Sequence, residues 1–300
     1  MNKICITDIA AIDVKEAKMI QEIEPKRFDN QYRENVRPSG EDRVFLFERA
    51  EKGADRICLS LDGDTIDVPR WKDTIFSEED LVYLFSIDDE KFFLAFSDCE
   101  AVCPEGFAFC SNRALRKAQP KYLAFAAMTA AHLHTWYRDN RYCGSCGAKT
   151  EHDKKERMMR CPVCGTMIFP KINPAVTVAL LHEGKLLVTK YAGRQQTNLY
   201  ALIAGFVEIG ESAEECVKRE VMEEVGLKAV NVRYYGSQPW GFAGNLQMGY
   251  VAEVEGDATI TLDQNELAEA FFIAREELEY NPNRPALTQE MIEAFRAGRL

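Results

Sequence analysis

The segment from Gly205 to Leu227 restricts the fold and chemistry of this chain more than any other. It reads Gly205-Phe-Val-Glu-Ile-Gly-Glu211-Ser-Ala-Glu-Glu-Cys-Val-Lys-Arg219-Glu220-Val-Met-Glu223-Glu224-Val-Gly226-Leu227. Ser212 with Glu215 three residues on is a capping box, and Gly226 before Leu227 is a helix stop, so a helix of about 14 residues is predicted between them. At 100° per residue, Ala213, Val217, Val221 and Val225 share one apolar stripe, with Glu220, Glu223 and Glu224 in the adjoining sector. Carboxylates one turn apart repel each other unless a cation or an arginine lies between them. Most such clusters are solvated acidic faces. Here the turn glycine, Glu211 and Arg219 stand at fixed spacings around the glutamates, an arrangement in which a divalent cation can hold a diphosphate.

The spacing G-x5-E-x7-R-E-V-x-E-E-x-G-L resembles the signature of the Nudix hydrolases, and every constrained position is filled. The resemblance implies an α/β/α sandwich that cradles Mg²⁺ or Mn²⁺ and hydrolyses a nucleoside diphosphate linked to another group. It names a reaction class, so the substrate has to be read from other parts of the chain.

A second feature precedes it. Cys143-Gly-Ser-Cys146 and Cys161-Pro-Val-Cys164 are two C-x-x-C knuckles separated by 14 residues. Each turn brings two thiolates together, and two turns complete a tetrahedral S₄ shell for zinc. A redox dithiol is the competing reading of a single C-x-x-C. Four protein ligands leave no open coordination position, so a zinc ion here is expected to be structural. Cys5, Cys58, Cys99, Cys103, Cys110 and Cys216 have no metal spacing and are expected as free thiols. A chain of 300 residues, 46% of them hydrophobic, does not need disulfide staples.

Length and charge bound the rest. Three hundred residues suggest two domains, and a formal charge of −11 argues against a broad nucleic-acid surface while leaving room for a local basic pocket. The start, Met-Asn-Lys-Ile-Cys, lacks a charged-then-apolar leader, and no segment approaches ~20 apolar residues, so a soluble cytoplasmic enzyme is expected. The predicted class is α+β. Residues 1–118 form a small, mostly antiparallel α+β domain, 119–139 a connecting helix, 140–170 the zinc ribbon and 171–300 the catalytic sandwich. Tyr122, Phe125, Ala126, Thr129, Leu133 and Trp136 lie on one face of the helix, and His132 and His134 have no partner at a metal spacing. His182-Glu-Gly-Lys185 reads as the turn of a hairpin.

Ser237-Gln238-Pro239-Trp240-Gly241-Phe242 supplies two aromatic rings and an amide suited to stacking on a base and bonding its edge; the plain alternative is a turn with core aromatics. The ribbon, Phe169-Pro170-Lys-Ile-Asn-Pro174, the glutamate box and S-Q-P-W, in this order, are similar to the NAD(H) diphosphatase branch of the Nudix hydrolases. The likeness covers about residues 120–300 and only loosely the part before them. It implies cleavage of the dinucleotide to nicotinamide mononucleotide and AMP, removal of NAD caps from RNA, a structural zinc and a homodimer. By that resemblance Glu220, Glu224, Glu266 and the Ala204 carbonyl bind the catalytic metals. Glu223 or Glu224 handles the attacking water, and Arg219 pairs with a box carboxylate such as Glu211. Phe169 and Phe206 enclose a nucleoside ring, Gln238, Pro239, Trp240, Gly241, Phe242 and Asn245 belong to the substrate loop, and Glu156 and Thr288 make further contacts.

The loop departs from that branch's pattern. Gly241, Ala243 and Asn245 replace two prolines and a serine, and Lys171 replaces an arginine. Glycine adds freedom to the loop, which leaves selectivity among NADH, NAD⁺ and related dinucleotides open. A Nudix hydrolase preferring ADP-ribose, dinucleoside polyphosphates or nucleotide sugars is the alternative. A non-catalytic nucleotide sensor is a third reading, which the intact box disfavours.

Overall fold

A computed structural model describes residues 19–97, 100–192, 200–279 and 286–300. Short apolar runs between polar turns give the described amino-terminal residues eight strands: β1 (Phe28–Asp29), β2 (Arg43–Phe45), β3 (Phe47–Glu48), β4 (Arg56–Asp62), β5 (Thr65–Asp67), β6 (Leu81–Ile87), β7 (Glu90–Ala95) and β8 (Ala108–Cys110). They form one sheet in the order β1-β6-β7-β2 and another in which β4 pairs β3, β5 and β8. Of these pairings only β2–β7 is parallel.

Helix α1 (Lys121–Asp139) was expected to bury one face. Instead Leu123, Ala124, Phe125, Ala126, Ala127 and Met128 are buried in succession, which no single stripe allows. The reason is tertiary. One side of α1 joins the core of the first sheet beside Phe85, Phe92 and Leu94, and the other meets a hairpin turn of the carboxy-terminal part at Gly241. Its histidines have structural roles. His134 Nε2 lies 2.9 Å from the buried Asp55 carboxylate, which Arg138 also contacts at 2.5 Å, and the His134 ring stacks on Phe47. His132 Nε2 lies 2.9 Å from the Lys171 carbonyl oxygen.

The expectation of free thiols fails at two positions. Cys58 on β4 and Cys103 are joined as a disulfide that ties the segment before β8 to the sheet. Spacing could not reveal it, because the partners lie 45 residues apart and meet only through the fold. Cys110 and Cys216 are free, while Cys5 and Cys99 lie outside the described residues.

Three two-residue strands, β9 (Glu151–His152), β10 (Met159–Arg160) and β11 (Met167–Ile168), make the ribbon in the order β11-β10-β9. Tyr32 donates to the Asp153 carbonyl at 2.8 Å and Arg157 to that of Leu84, so the ribbon is fastened to the first sheet.

The carboxy-terminal part is an α/β/α sandwich. Strands β12 (Asn173–His182), β13 (Lys185–Tyr191), β14 (Ile203–Phe206), β15 (Ala229–Trp240), β16 (Asn245–Val254) and β17 (Leu267–Ile273) form a mixed sheet, ordered β15-β16-β12-β13-β17 with β14 on β12. The predicted β12–β13 turn is present, with Glu183 and Gly184 both at positive φ, the conformation a two-residue hairpin turn requires. Alternation along β12 sorts the two cores. Val176, Val178 and Leu180 face Val217, Val221 and Val225 of helix α2 (Ala213–Val225), whereas Ala179 faces Leu287, Met291 and Phe295 of helix α3 (Leu287–Arg296). Burying each large aliphatic side chain stabilises the fold by about 1.5–3 kcal/mol. Among the described residues no helix is long and apolar enough to cross a membrane.

The sheet also brings two segments to one end. Ala175 pairs Phe206 of β14 on one side and Gln247 of β16 on the other, which puts those two backbones about 10 Å apart.

Candidate active site

Helix α2 starts and stops where its local chemistry dictates. Ser212 accepts from the Glu215 amide, Glu215 reaches back to the Ser212 amide at 2.8 Å, and Gly226 ends the helix at φ +71°. Beyond it, the Thr261 and Asp263 amides donate to the carbonyls of Val225 and Glu224, so residues 261–266 run back across the helix end. No basic residue stands in the last turn, where the helix dipole is negative and Glu223 and Glu224 are placed. That end of the helix therefore favours a cation.

Arg219 organises the outer side of the site. It forms a fork with Glu211 at 2.8 and 2.9 Å, reaches Glu220 at 2.6 Å and Glu223 at 2.9 Å, and donates to the Phe206 carbonyl at 3.0 Å. Arg219 is the first cause of the low Glu211 pKa, about 2. The Glu220 carboxylate packs against Gly205, where an added Cβ would stand 1.9 Å from its oxygen. The motif glycine is thus required by contact, not by backbone angle. Glu223 is exposed.

Glu224 is different. It is 2% exposed, the Ala204 amide donates to its Oε1 at 3.4 Å, and its Oε2 has no hydrogen-bond partner among the described residues. Burial, then the charges of Glu220, Glu266 and Asp263, push it up to about 8. A buried carboxylate oxygen without a donor, surrounded by other carboxylates, fits a hard cation that prefers oxygen. Glu266, exposed just before β17, is thereby near enough to Glu220 and Glu224 to raise both. Asp263 was missed by the sequence reading; its sole local signal is the turn in which it accepts from the Asn265 amide.

The cysteines are more tightly gathered. The sulfur atoms of Cys143, Cys146, Cys161 and Cys164 all lie within 4.8 Å of one another, with Cys143–Cys164 at 3.6 Å and Cys146–Cys161 at 3.4 Å. A tetrahedral shell with Zn–S bonds of about 2.3 Å needs roughly 3.8 Å between sulfurs. The two knuckles have the same hydrogen bonds. The Gly147 and Gly165 amides donate to the carbonyls of Cys143 and Cys161, and both glycines have φ +76°. Amide donors from Ser145 and Cys146 lower the Cys143 thiol pKa, favouring a thiolate ligand.

Residues 171–295 match the family model described as NUDIX domain, and residues 138–169 match the one described as NADH pyrophosphatase zinc ribbon domain. This chain carries a Nudix domain. Curated relatives match about half of the chain. A Pseudomonas aeruginosa protein named NAD-capped RNA hydrolase NudC is 36% identical over 171 residues, 57% of this chain and 60% of its own. Its namesake in Pseudomonas syringae is 38% identical over 170 residues, covering the same shares of the two chains. One from Vibrio atlanticus is 39% identical over 130 residues, 43% of this chain and 48% of its own. The matched part thus spans about 60% or less of these relatives' length.

Beside the Nudix box, the segment read as a substrate loop is the end of β15 and a hairpin turn, with Trp240 opposite Asn245. Gln238 is fully buried, accepting from the Leu287 amide at 2.7 Å and donating to Gln21 at 3.3 Å. Its amide links β15 to the start of α3, beside Thr288, and is not presented to a base. Phe242 packs on the core that contains α1, and Arg116 lies over its ring at 5.5 Å. Pro239 is exposed, and Trp240 is half-buried with its ring edge-on to Phe242 at 4.9 Å. Asn245 is buried with its Oδ1 unpartnered among the described residues. The freedom expected of Gly241 is not used: an added Cβ would lie 2.7 Å from the Met128 carbonyl oxygen. Phe169 and Phe206 are 51% and 53% exposed, and Glu156 is exposed on the ribbon.

Proposed function

We propose that this chain hydrolyses the diphosphate of NAD(H) to nicotinamide mononucleotide and AMP, and acts on the same bond in NAD-capped RNA. The observation that carries the hydrolytic part is the buried, donor-less oxygen of Glu224 among Glu220, Glu266 and Asp263. Glu220, Glu224, Glu266 and the Ala204 carbonyl would hold Mg²⁺ or Mn²⁺. When bound, such a cation neutralises the diphosphate and acidifies a water molecule. The chain's own residues do the remainder. Arg219 holds Glu220 and Glu223 in place, and exposed Glu223, at the solvent side, orients the attacking water and passes its proton outward.

The choice of substrate rests on the ribbon and on the names of the relatives. The exposed rings of Phe169 and Phe206 suit stacking on a nucleoside, and with exposed Val163, Met167 and Ile172 they favour a homodimer in which a second copy covers the apolar surface. In that assembly Glu156 and Thr288 contact substrate or partner. The zinc is structural, residues 1–118, 119–139, 140–170 and 171–300 are the successive parts of the chain, and the enzyme works in the cytoplasm.

One observation favours a broader diphosphatase: Gln238 and Phe242, two groups expected to recognise a base, are taken up by the fold. Incubation with NADH, ADP-ribose, Ap₄A and NAD-capped RNA, with products weighed by mass spectrometry, separates the two readings. Reduced nicotinamide mononucleotide with AMP, formed at the highest kcat/KM, supports the proposal. Faster turnover of ADP-ribose or Ap₄A overturns the choice of substrate.

A further inference from the structure

The amino-terminal part, in which the sequence shows no catalytic motif, together with α1 holds the hairpin read as the substrate loop. Each residue of that turn but Ala243 meets a specific support. Gly241 lies against the backbone of α1, where a side chain would stand 2.7 Å from the Met128 carbonyl oxygen and 3.0 Å from its Cγ. Phe242 packs into the amino-terminal core beneath Arg116. Gly244, at φ +66°, leaves only 3.3 Å between a would-be Cβ and His132 Nε2, and that nitrogen bonds the Lys171 carbonyl oxygen at 2.9 Å. Asn173 donates to the Gly244 carbonyl from both its backbone and its side chain, at 3.0 and 3.2 Å. Trp240, the exposed-edge aromatic of the segment, rests on Phe242. The Phe242 ring thus links the Trp240 ring to α1 and Arg116.

We infer that α1 and Arg116 act as positioning elements for substrate selection: His132, Arg116 and the close approach at Gly241 fix the hairpin, and the hairpin fixes where Trp240 meets a nucleoside. The inference rests on the proposed hydrolysis of a dinucleotide. It assigns the first part of the chain a role in KM and selectivity rather than in the chemical step. Glycine at 241 is the residue that permits the contact, because a proline ring or any Cβ would drive the turn off α1.

The test uses the full-length, zinc-loaded protein and three variants, Gly241→Ala, His132→Ala and Arg116→Ala, with His132→Gln as the conservative control. Hydrogen exchange over residues 236–247 is measured alongside NADH kinetics. The hairpin amides are expected to exchange at least about tenfold faster in Gly241→Ala and His132→Ala, while those of α2 stay unchanged. KM for NADH is expected to rise about fivefold with kcat within about twofold, and His132→Gln, which retains a donor for the Lys171 carbonyl, to recover most of the loss. Arg116→Ala, which removes an exposed cation–π contact, gives the smallest change. Hairpin exchange like that of the wild type in all three variants overturns the inference, as does a fall in kcat at unchanged KM. A loosened hairpin in a protein that leaves NADH intact would instead support the positioning role and reject the proposed substrate.

Discussion

The two metal-fitting regions of this chain are built on opposite principles. In the ribbon, four sulfurs are drawn together by two knuckles with the same backbone hydrogen bonds. In the Nudix box, Arg219 pairs with Glu211, Glu220 and Glu223, while the neighbouring Glu224 is buried, its pKa pushed up to about 8 by burial and by the charges of Glu220, Glu266 and Asp263. The thiol shell is closed and suits a permanent ion, so its metal belongs to the folded state. The carboxylate site supplies only part of a hard cation's oxygen shell and leaves positions for water and substrate phosphate. One site uses a metal to make structure and the other uses structure to receive a metal.

Removing a ligand from each region should break the comparison in opposite ways. Cys161→Ser is expected to abolish zinc content and cost several kcal/mol of stability, because structural zinc binding is itself folding free energy. Metal analysis and thermal unfolding check it, and a variant with normal zinc and normal unfolding temperature would remove the structural role. Glu224→Gln is expected to lower kcat by about 10²–10³ while unfolding at or slightly above the wild-type temperature. Burial pushes the Glu224 pKa up to about 8, so a neutral amide costs this buried position little. Near-normal kcat at saturating Mg²⁺ would take Glu224 out of the mechanism. Ser212→Ala, which removes the cap of α2 without touching a carboxylate of the site, is expected to cost about 1 kcal/mol in denaturant unfolding. A larger loss accompanied by loss of metal binding would mean that the cap and the site are one unit.

What could be read from the sequence was what local spacing determines. The capping box at Ser212 and Glu215, the stop at Gly226, the Glu183-Gly184 turn and the two cysteine knuckles each depend on residues within a few positions of one another, and each is where it was expected. Features that depend on distant packing were not legible. Phe242 reads as a ligand aromatic until α1 is seen beneath it, and Gly241 reads as a flexible residue until Met128 is seen against it. Gln238 looked like a recognition amide because its partner, the Leu287 amide, lies 49 residues away. Glu266 came from family resemblance alone; the segment that brings it to α2 is joined there by the Asp263–Glu224 backbone hydrogen bond, which no spacing encodes.

The most direct measurement is the unfolding temperature of the zinc-loaded protein, with and without Mg²⁺, across pH 6 to 9. Glu224 has a raised pKa when folded, so in the metal-free protein its contribution to stability is present at low pH and is lost as pH rises through about 8. Mg²⁺ must displace that proton, so its stabilising effect should grow with pH up to about 8 and level off above it. In Glu224→Gln the pH dependence of the Mg²⁺ effect should disappear. A Mg²⁺ shift that is independent of pH in the wild type, or unchanged in the glutamine variant, would contradict the assignment of this helix as the metal–diphosphate site.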